Sequence, residues 1–172
     1  MRVFVALWPP PEALTHLQVA VEAARAAVSD AVEPRWIPAA RQHLTLAFVG
    51  EVDDEGLANV LRRTQRAAAP VPPLPLALAR AGRFGSAVLW TGLMGDVEPL
   101  GELARRIGWQ DKPFRAHLTV ARGRGRADLR PWVAALAAYE GPAWTAEGIT
   151  VVRSTLGPSP TYEVLEQLRF AS

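Results

Sequence analysis

Apolar and polar positions along this chain fall into short runs with two different periods. Val3-Phe4-Val5-Ala6-Leu7-Trp8 is an unbroken apolar run stopped by Pro9-Pro10-Pro11, and it reads as a buried β-strand. From Pro11 to about Val28, Leu14, Leu17, Val21 and Ala24 recur at helical spacing, which predicts an amphipathic helix. Pro34 and Pro38 break the next stretch, and His43 to Val49 reads as a second strand closed by Gly50. Asp53 or Asp54 is placed to cap a helix to about Ala69, with Leu57, Val60 and Leu61 inward. Pro70 to Pro75 is rich enough in proline to be a stiff extended connector between two halves.

The second half repeats the plan. Leu74 to Ala81 and Ala87 to Leu93 read as strands of a hairpin turning at Gly82 to Ser86. A helix is predicted from about Val97 to Ile107, and a strand from about Ala116 to Arg122. Asp128 caps a helix to about Ala138, with Pro131 early in it where proline is tolerated. Ile149 to Ser154 and Tyr162 to Phe170 close the chain as a strand pair. Such alternation predicts α/β or α+β layers.

Composition narrows the class. A length of 172 residues suits one compact domain or two small lobes, and 49% apolar residues suffice for a core. The absence of cysteine excludes a disulfide-stapled fold and a thiolate metal site. The run Val3 to Trp8 is too short for a signal h-region or a membrane span, so a cytoplasmic protein with no membrane partner is expected. The net charge is only +2, yet the pI is 9.6 because Lys112 is the one lysine beside 18 arginines. A general nucleic-acid binder carries a larger excess, but each arginine can still hold phosphate through its planar fork.

Two of the three histidines begin the tripeptide His-Leu-Thr, at His43-Leu44-Thr45 and His117-Leu118-Thr119. Chance places two there on the order of one time in ten thousand. The surroundings match as well: strand, helix and His-Leu-Thr strand occur in that order in each half. Alternation along a strand points His43 with Thr45, and His117 with Thr119, to one face, while Leu44, Leu46 and Phe48 point to the other. A pseudo-twofold would gather two imidazoles and two hydroxyls in one cleft. That set suits in-line displacement at phosphorus, one imidazole taking a proton from the nucleophile and the other giving one to the leaving oxygen. The hydroxyls would hold the non-bridging oxygens. Two imidazoles and two threonines make a poor metal site, and a Ser-His-Asp reading lacks a Gly-x-Ser-x-Gly elbow. His16 has no partner motif and reads as a surface residue.

The arginines of the second motif are further candidates. Arg122 closes the strand of His117, where the following Gly123 lets it turn to the cleft and carry phosphate charge. Arg115 sits two residues before His117 and shares its face. Arg124, Arg126 and Arg130 continue a basic run able to follow a nucleic-acid backbone. Trp36 and Phe48 flank the first motif and could stack a base, although core packing is the commoner fate of either.

The segments Arg35-Trp36-Ile37-Pro38, His43 to Gly50 and Phe114 to Arg122 resemble the two-histidine phosphoesterases, closest to the RNA 2′,3′-cyclic phosphodiesterases historically called 2′-5′ RNA ligases. Arg2 to Leu7 also fits their first strand, so the resemblance spans essentially the whole chain. It implies an α+β fold: one domain over residues 1–172, of two interleaved, pseudo-symmetric lobes. Their mixed or antiparallel sheets face a central cleft, with helices outside, and each lobe gives one His-x-Thr strand. It implies metal-independent hydrolysis of a terminal 2′,3′-cyclic phosphate on RNA to a 2′-phosphate. A monomer is expected, and nothing in the chain implies an organic cofactor. His43 and His117 become the acid–base pair, with His117 as base on water and His43 as acid on the 3′ oxygen. Thr45, Thr119 and Arg122 become phosphate ligands. Phe48, Arg115 and Arg124 are expected as further substrate contacts from their own places beside the two motifs. Ala116 departs from the proline many members carry there. Reverse ligation of tRNA half-molecules is associated with the family, so tRNA fragments are candidate partners. Two other readings compete: a phosphodiesterase for another cyclic or 2′-5′-linked nucleotide, and an RNA-binding module without chemistry.

Overall fold

The computed structural model describes all residues from Met1 to Ser172. In chain order it contains β1 (Arg2–Leu7), α1 (Pro11–Ala27), β2 (Arg35–Trp36), a 3-10 turn (Ala39–Arg41) and β3 (Leu44–Glu51). There follow α2 (Asp54–Ala68), β4 (Leu74–Phe84), β5 (Val88–Gly95), α3 (Val97–Ile107) and β6 (Leu118–Arg122). The chain ends with α4 (Arg130–Leu136), β7 (Trp144–Ala146), β8 (Gly148–Ser154) and β9 (Tyr162–Arg169). The architecture is α+β, one of the two layer types open to the alternation of periods and the one the resemblance implies.

The local chemistry explains most boundaries. Pro11 opens α1, where its missing N–H costs nothing. The Asp53 carboxylate accepts from the Gly56 N–H at 2.8 Å and caps α2. The predicted hairpin turn at Gly82 to Ser86 lies later, between Phe84 and Val88, because β4 carries one extra residue between Ala79 and Gly82 opposite β5. The helix after Asp128 is shorter than its pattern suggests, and Leu129 takes the cap position while the Asp128 side chain binds Arg130. Two short strands, β2 and β7, escape sequence reading because two or three residues carry no period.

Eight strands form one sheet in the order β7-β4-β5-β6-β3-β1-β8-β9, with β2 laid along β6. Every neighbouring pair is antiparallel. From the centre outward, β3-β1-β8-β9 on one side corresponds to β6-β5-β4-β7 on the other. The two half-sheets touch through a single residue pair, Leu44 with Leu118. Since β8 and β9 return to pair beside β1, the halves are interleaved in sequence. The helices cross over in the same spirit: α1 packs on α4 and β4, and α2 packs on α3 and β9.

Both faces of β1 are buried, and alternation divides them. Val3, Val5 and Leu7 belong to the main core of 33 buried residues, which also takes Leu17, Leu100, Leu103 and Trp132 from the helices. Phe4 and Ala6 point the other way and form a small cluster with Val152, Trp8 and Tyr162. That second face holds the cleft.

Candidate active site

His43 and His117 stand at the mouths of β3 and β6, each one residue before its strand. Each imidazole is oriented in the same way. The Nδ1–H of His43 donates to the carbonyl of Arg41 at 2.8 Å, and that of His117 to the carbonyl of Arg115 at 2.6 Å. A carbonyl can only accept, so both rings are held as Nδ1–H tautomers with Nε2 left for the cleft. In the resting site the Thr45 hydroxyl lies 3.1 Å from Nε2 of His43 and donates to it.

The residues after each threonine depart from simple alternation, and they do so identically. Opposite β1, Ala6 pairs with Thr45 and Val5 with Ala47, so Leu46 is an extra residue. Opposite β5, Trp90 pairs with Thr119 and Leu89 with Ala121, so Val120 is the extra residue. A β-bulge of this kind resets the pleat. Leu44, Leu46 and Ala47 are buried, and so are Leu118, Val120 and Ala121. The fifth residue after each histidine therefore returns to the cleft face. Phe48, placed by alternation on the core face, is 52% exposed in the cleft. Arg122 reaches the cleft for the same reason.

A cavity of about 330 Å³ collects these groups: His43, Thr45, Phe48, His117, Thr119 and Arg122 all line it. Arg115 and Arg124 do not. The residues before His117 are not in strand conformation, so alternation fails for Arg115, whose contribution is the carbonyl held by His117. Arg124 lies beyond the turn at Gly123. A Cβ at Gly123 would collide with the Ser86 carbonyl oxygen, so only glycine fits where β6 ends against the β4–β5 turn. Trp36 packs edge-on against Trp132 and donates to Glu33, away from the cleft. His16 is exposed and shares a 2.9 Å hydrogen bond with the Tyr139 hydroxyl, also away from the cleft.

Several lining residues were missed by sequence reasoning: Arg2, Phe4, Arg41 and Tyr162, with Ser154 at the end of β8 and Thr155 to Gly157 in the β8–β9 loop. Arg41 left a signal, since each His-Leu-Thr is preceded by arginine two residues earlier, at Arg41 and Arg115. Tyr162 and Arg2 left none, because only the strand order brings β9 and the start of β1 to this face.

The cleft is polar and electropositive in a specific way. Arg2, Arg41 and Arg122 line it and no carboxylate does. Its metal-binding side chains are two imidazoles, a sparse set for a cation, and no group of three His, Cys, Asp or Glu gathers anywhere in the structure. The two imidazoles differ in surroundings. His43 stacks on Phe4 with centroids 4.9 Å apart, touches Trp8 at 4.9 Å and meets Tyr162 edge-on at 5.4 Å. His117 has Phe84 at 4.9 Å and Trp90 at 6.3 Å. Desolvation among its rings pushes the His43 pKa below the ordinary imidazole value; the bond to Arg41 opposes this in part, and the His117 charge adds to it.

Comparison with known proteins places the whole chain in a family. A family model described as the 2′-5′ RNA ligase superfamily matches residues 9–158. The RNA 2′,3′-cyclic phosphodiesterase of Thermus thermophilus is 35% identical over 97% of this chain and 89% of its own. Among solved structures, TT0787 of Thermus thermophilus superposes with a TM-score of 0.74 at 30% identity, over 99% of this chain and 98% of that one. E. coli LigT complexed with phosphate superposes at 0.75 and 23% identity, over 99% and 98%, a likeness of fold.

Proposed function

The chain belongs to the 2′-5′ RNA ligase superfamily, and from that premise we propose that it hydrolyses RNA 2′,3′-cyclic phosphate ends to 2′-phosphates with two imidazoles and no metal. The observation that carries this reading is the meeting of His43, Thr45, His117, Thr119 and Arg122 in one cleft free of carboxylates. We take residues 1–172 as a single bilobal catalytic domain that works as a monomer in the cytoplasm on RNA ends, tRNA fragments among them. No helix is long and apolar enough to cross a membrane.

The cyclic phosphate anion sits between the two threonine hydroxyls with Arg122 on its charge, replacing the resting contact of Thr45 with His43. His117 takes the proton of the attacking water through Nε2. His43 gives its proton to the departing 3′ oxygen as the P–O3′ bond breaks and the P–O bond to water forms. Burial suits His43 to that part, because an imidazolium with a depressed pKa is a stronger acid toward an alkoxide. The Arg41 and Arg115 carbonyls fix both tautomers throughout. Ligation by the reverse path would need a 5′-hydroxyl in place of water, a reaction that bulk water opposes.

The test uses RNA ending in a 2′,3′-cyclic phosphate, with EDTA present. Wild-type protein should open the ring, and His43→Ala and His117→Ala should each lose on the order of 10²–10⁴-fold in rate. An untouched end with wild type would move the reading to another phosphodiester or to RNA binding alone. A substrate with sulfur in place of the 3′ oxygen leaves without a proton, so it should restore turnover to His43→Ala and not to His117→Ala. Rescue of His117→Ala instead would exchange the two roles.

A further inference from the structure

The bulges that follow Thr45 and Thr119 and return Phe48 and Arg122 to the cleft have a cost that must be met somewhere. An extra residue in an antiparallel strand falls out of the ladder, and a buried carbonyl left without a donor is expensive. The two half-sheets make no pair beyond Leu44 with Leu118, so past that point the facing edges of β3 and β6 have no strand between them except β2. Along β6, the carbonyl of the extra residue Val120 accepts from the Ile37 N–H at 2.9 Å, one residue after β2. Along β3, the carbonyl of the extra residue Leu46 accepts from the side-chain amide of Gln110 at 2.8 Å. Each bulge is thus held by the segment that precedes the other motif. Ile37 lies six residues before His43 and Gln110 seven before His117.

Gln110 is well fixed for such a part. Its Nε2 also donates to the Ala104 carbonyl at 2.9 Å, so one amide group spans from the last turn of α3 to the bulge. The chain reaches it through two consecutive left-handed residues, Gly108 at φ 93° and Trp109 at φ 63°. Tryptophan adopts that region only where surrounding structure imposes it. The Arg63 guanidinium, from α2, lies 4.7 Å from the Trp109 ring and packs the turn down. None of these residues lines the cleft.

We infer that Gln110 is a positioning residue for the reaction: by tying the Leu46 carbonyl to the end of α3, it fixes the bulge directly after Thr45, holding that hydroxyl in place and returning Phe48 to the cleft. The inference rests on the proposed phosphodiesterase activity. It also gives the two halves a reason to stay locked together, since the geometry of one motif is set by residues leading into the other.

The experiment measures kcat and KM on a short RNA with a 2′,3′-cyclic end, for wild type, Gln110→Met, Thr45→Val and the double variant. Methionine keeps the length and volume of glutamine without a donor. Gln110→Met should lower kcat on the order of ten- to a hundredfold while retaining a cooperative melt. In the Thr45→Val background, where that hydroxyl is already gone, it should cost less than about twofold. Unchanged kcat, or losses that simply multiply, would overturn the inference. Gln110→Glu supplies a second reading, independent of how well the methionine variant folds. Its carboxylate cannot donate until protonated, so its deficit relative to wild type should shrink as pH falls. A deficit that is constant with pH would count against the role. Inactive wild-type protein would instead sink the proposed function, a result distinct from an active wild type with an indifferent Gln110.

Discussion

The imidazole of His43 sits among Phe4, Trp8 and Tyr162, and this enclosure has a consequence for the pH range of activity. In the proposed mechanism the two histidines hold one proton between them, and such a pair titrates as a unit. On the acid side this one-proton pair is lost when both rings become charged, a state opposed by the burial of His43 and by repulsion between the two charges. Because the His43 pKa is depressed, the acid limb of kcat/KM should lie below the ordinary imidazole range. Removing a wall of the enclosure lets water in and raises that pKa, so Tyr162→Ala should move the acid limb to higher pH. A limb unmoved in Tyr162→Ala would mean that burial does not set it. At this scale the sequence was informative about the repeated tripeptide and its chemistry, since His, Thr and their spacing are written in the chain. Tyr162 was not legible, because nothing local relates β9 to His43 across more than a hundred residues.

At the scale of elements, the decisive features are the paired bulges after Thr45 and Thr119. They explain why strand alternation assigns His43 and Thr45 correctly yet misplaces Phe48: the period of two holds up to the extra residue and then shifts by one. No residue type in Leu46-Ala47 or Val120-Ala121 announces a bulge, so the shift is visible only in the register. The end of β6 offers a direct check. Since a Cβ at Gly123 meets the Ser86 carbonyl, Gly123→Ala should destabilise the fold by about 1–3 kcal/mol. It should also raise KM by displacing the neighbouring Arg122. Equilibrium denaturation and steady-state kinetics measure the two effects, and a variant with wild-type stability would show that the strand end has room to relax.

For the whole molecule, the repeat in sequence becomes a sheet whose order is symmetric about the contact of Leu44 with Leu118. Legible beforehand were the α+β class and the convergence of two like strands. The single continuous sheet, the crossing of helices between halves and the small strands β2 and β7 were not, because they depend on pairings far apart in the chain. The assembled cleft carries Arg2, Arg41 and Arg122 from three separate segments, a distribution that gives a modest net charge a locally strong attraction for anions. If a single-stranded RNA neutralises two or three such groups, raising salt from about 50 to 200 mM should lower its kcat/KM roughly five- to twentyfold. A cyclic mononucleotide, with one phosphate, should lose only about two- to threefold. Equal salt slopes for the two substrates would place the body of the RNA away from these arginines.

The most direct measurement of the central claim is the identity of the phosphate left on an RNA that begins with a 2′,3′-cyclic end, after incubation with the wild-type protein in EDTA. The expected sole product is a 2′-phosphate, with the 3′ oxygen released as a hydroxyl. A 3′-phosphate, or turnover that appears only when a metal is restored, would contradict the two-imidazole mechanism in this cleft.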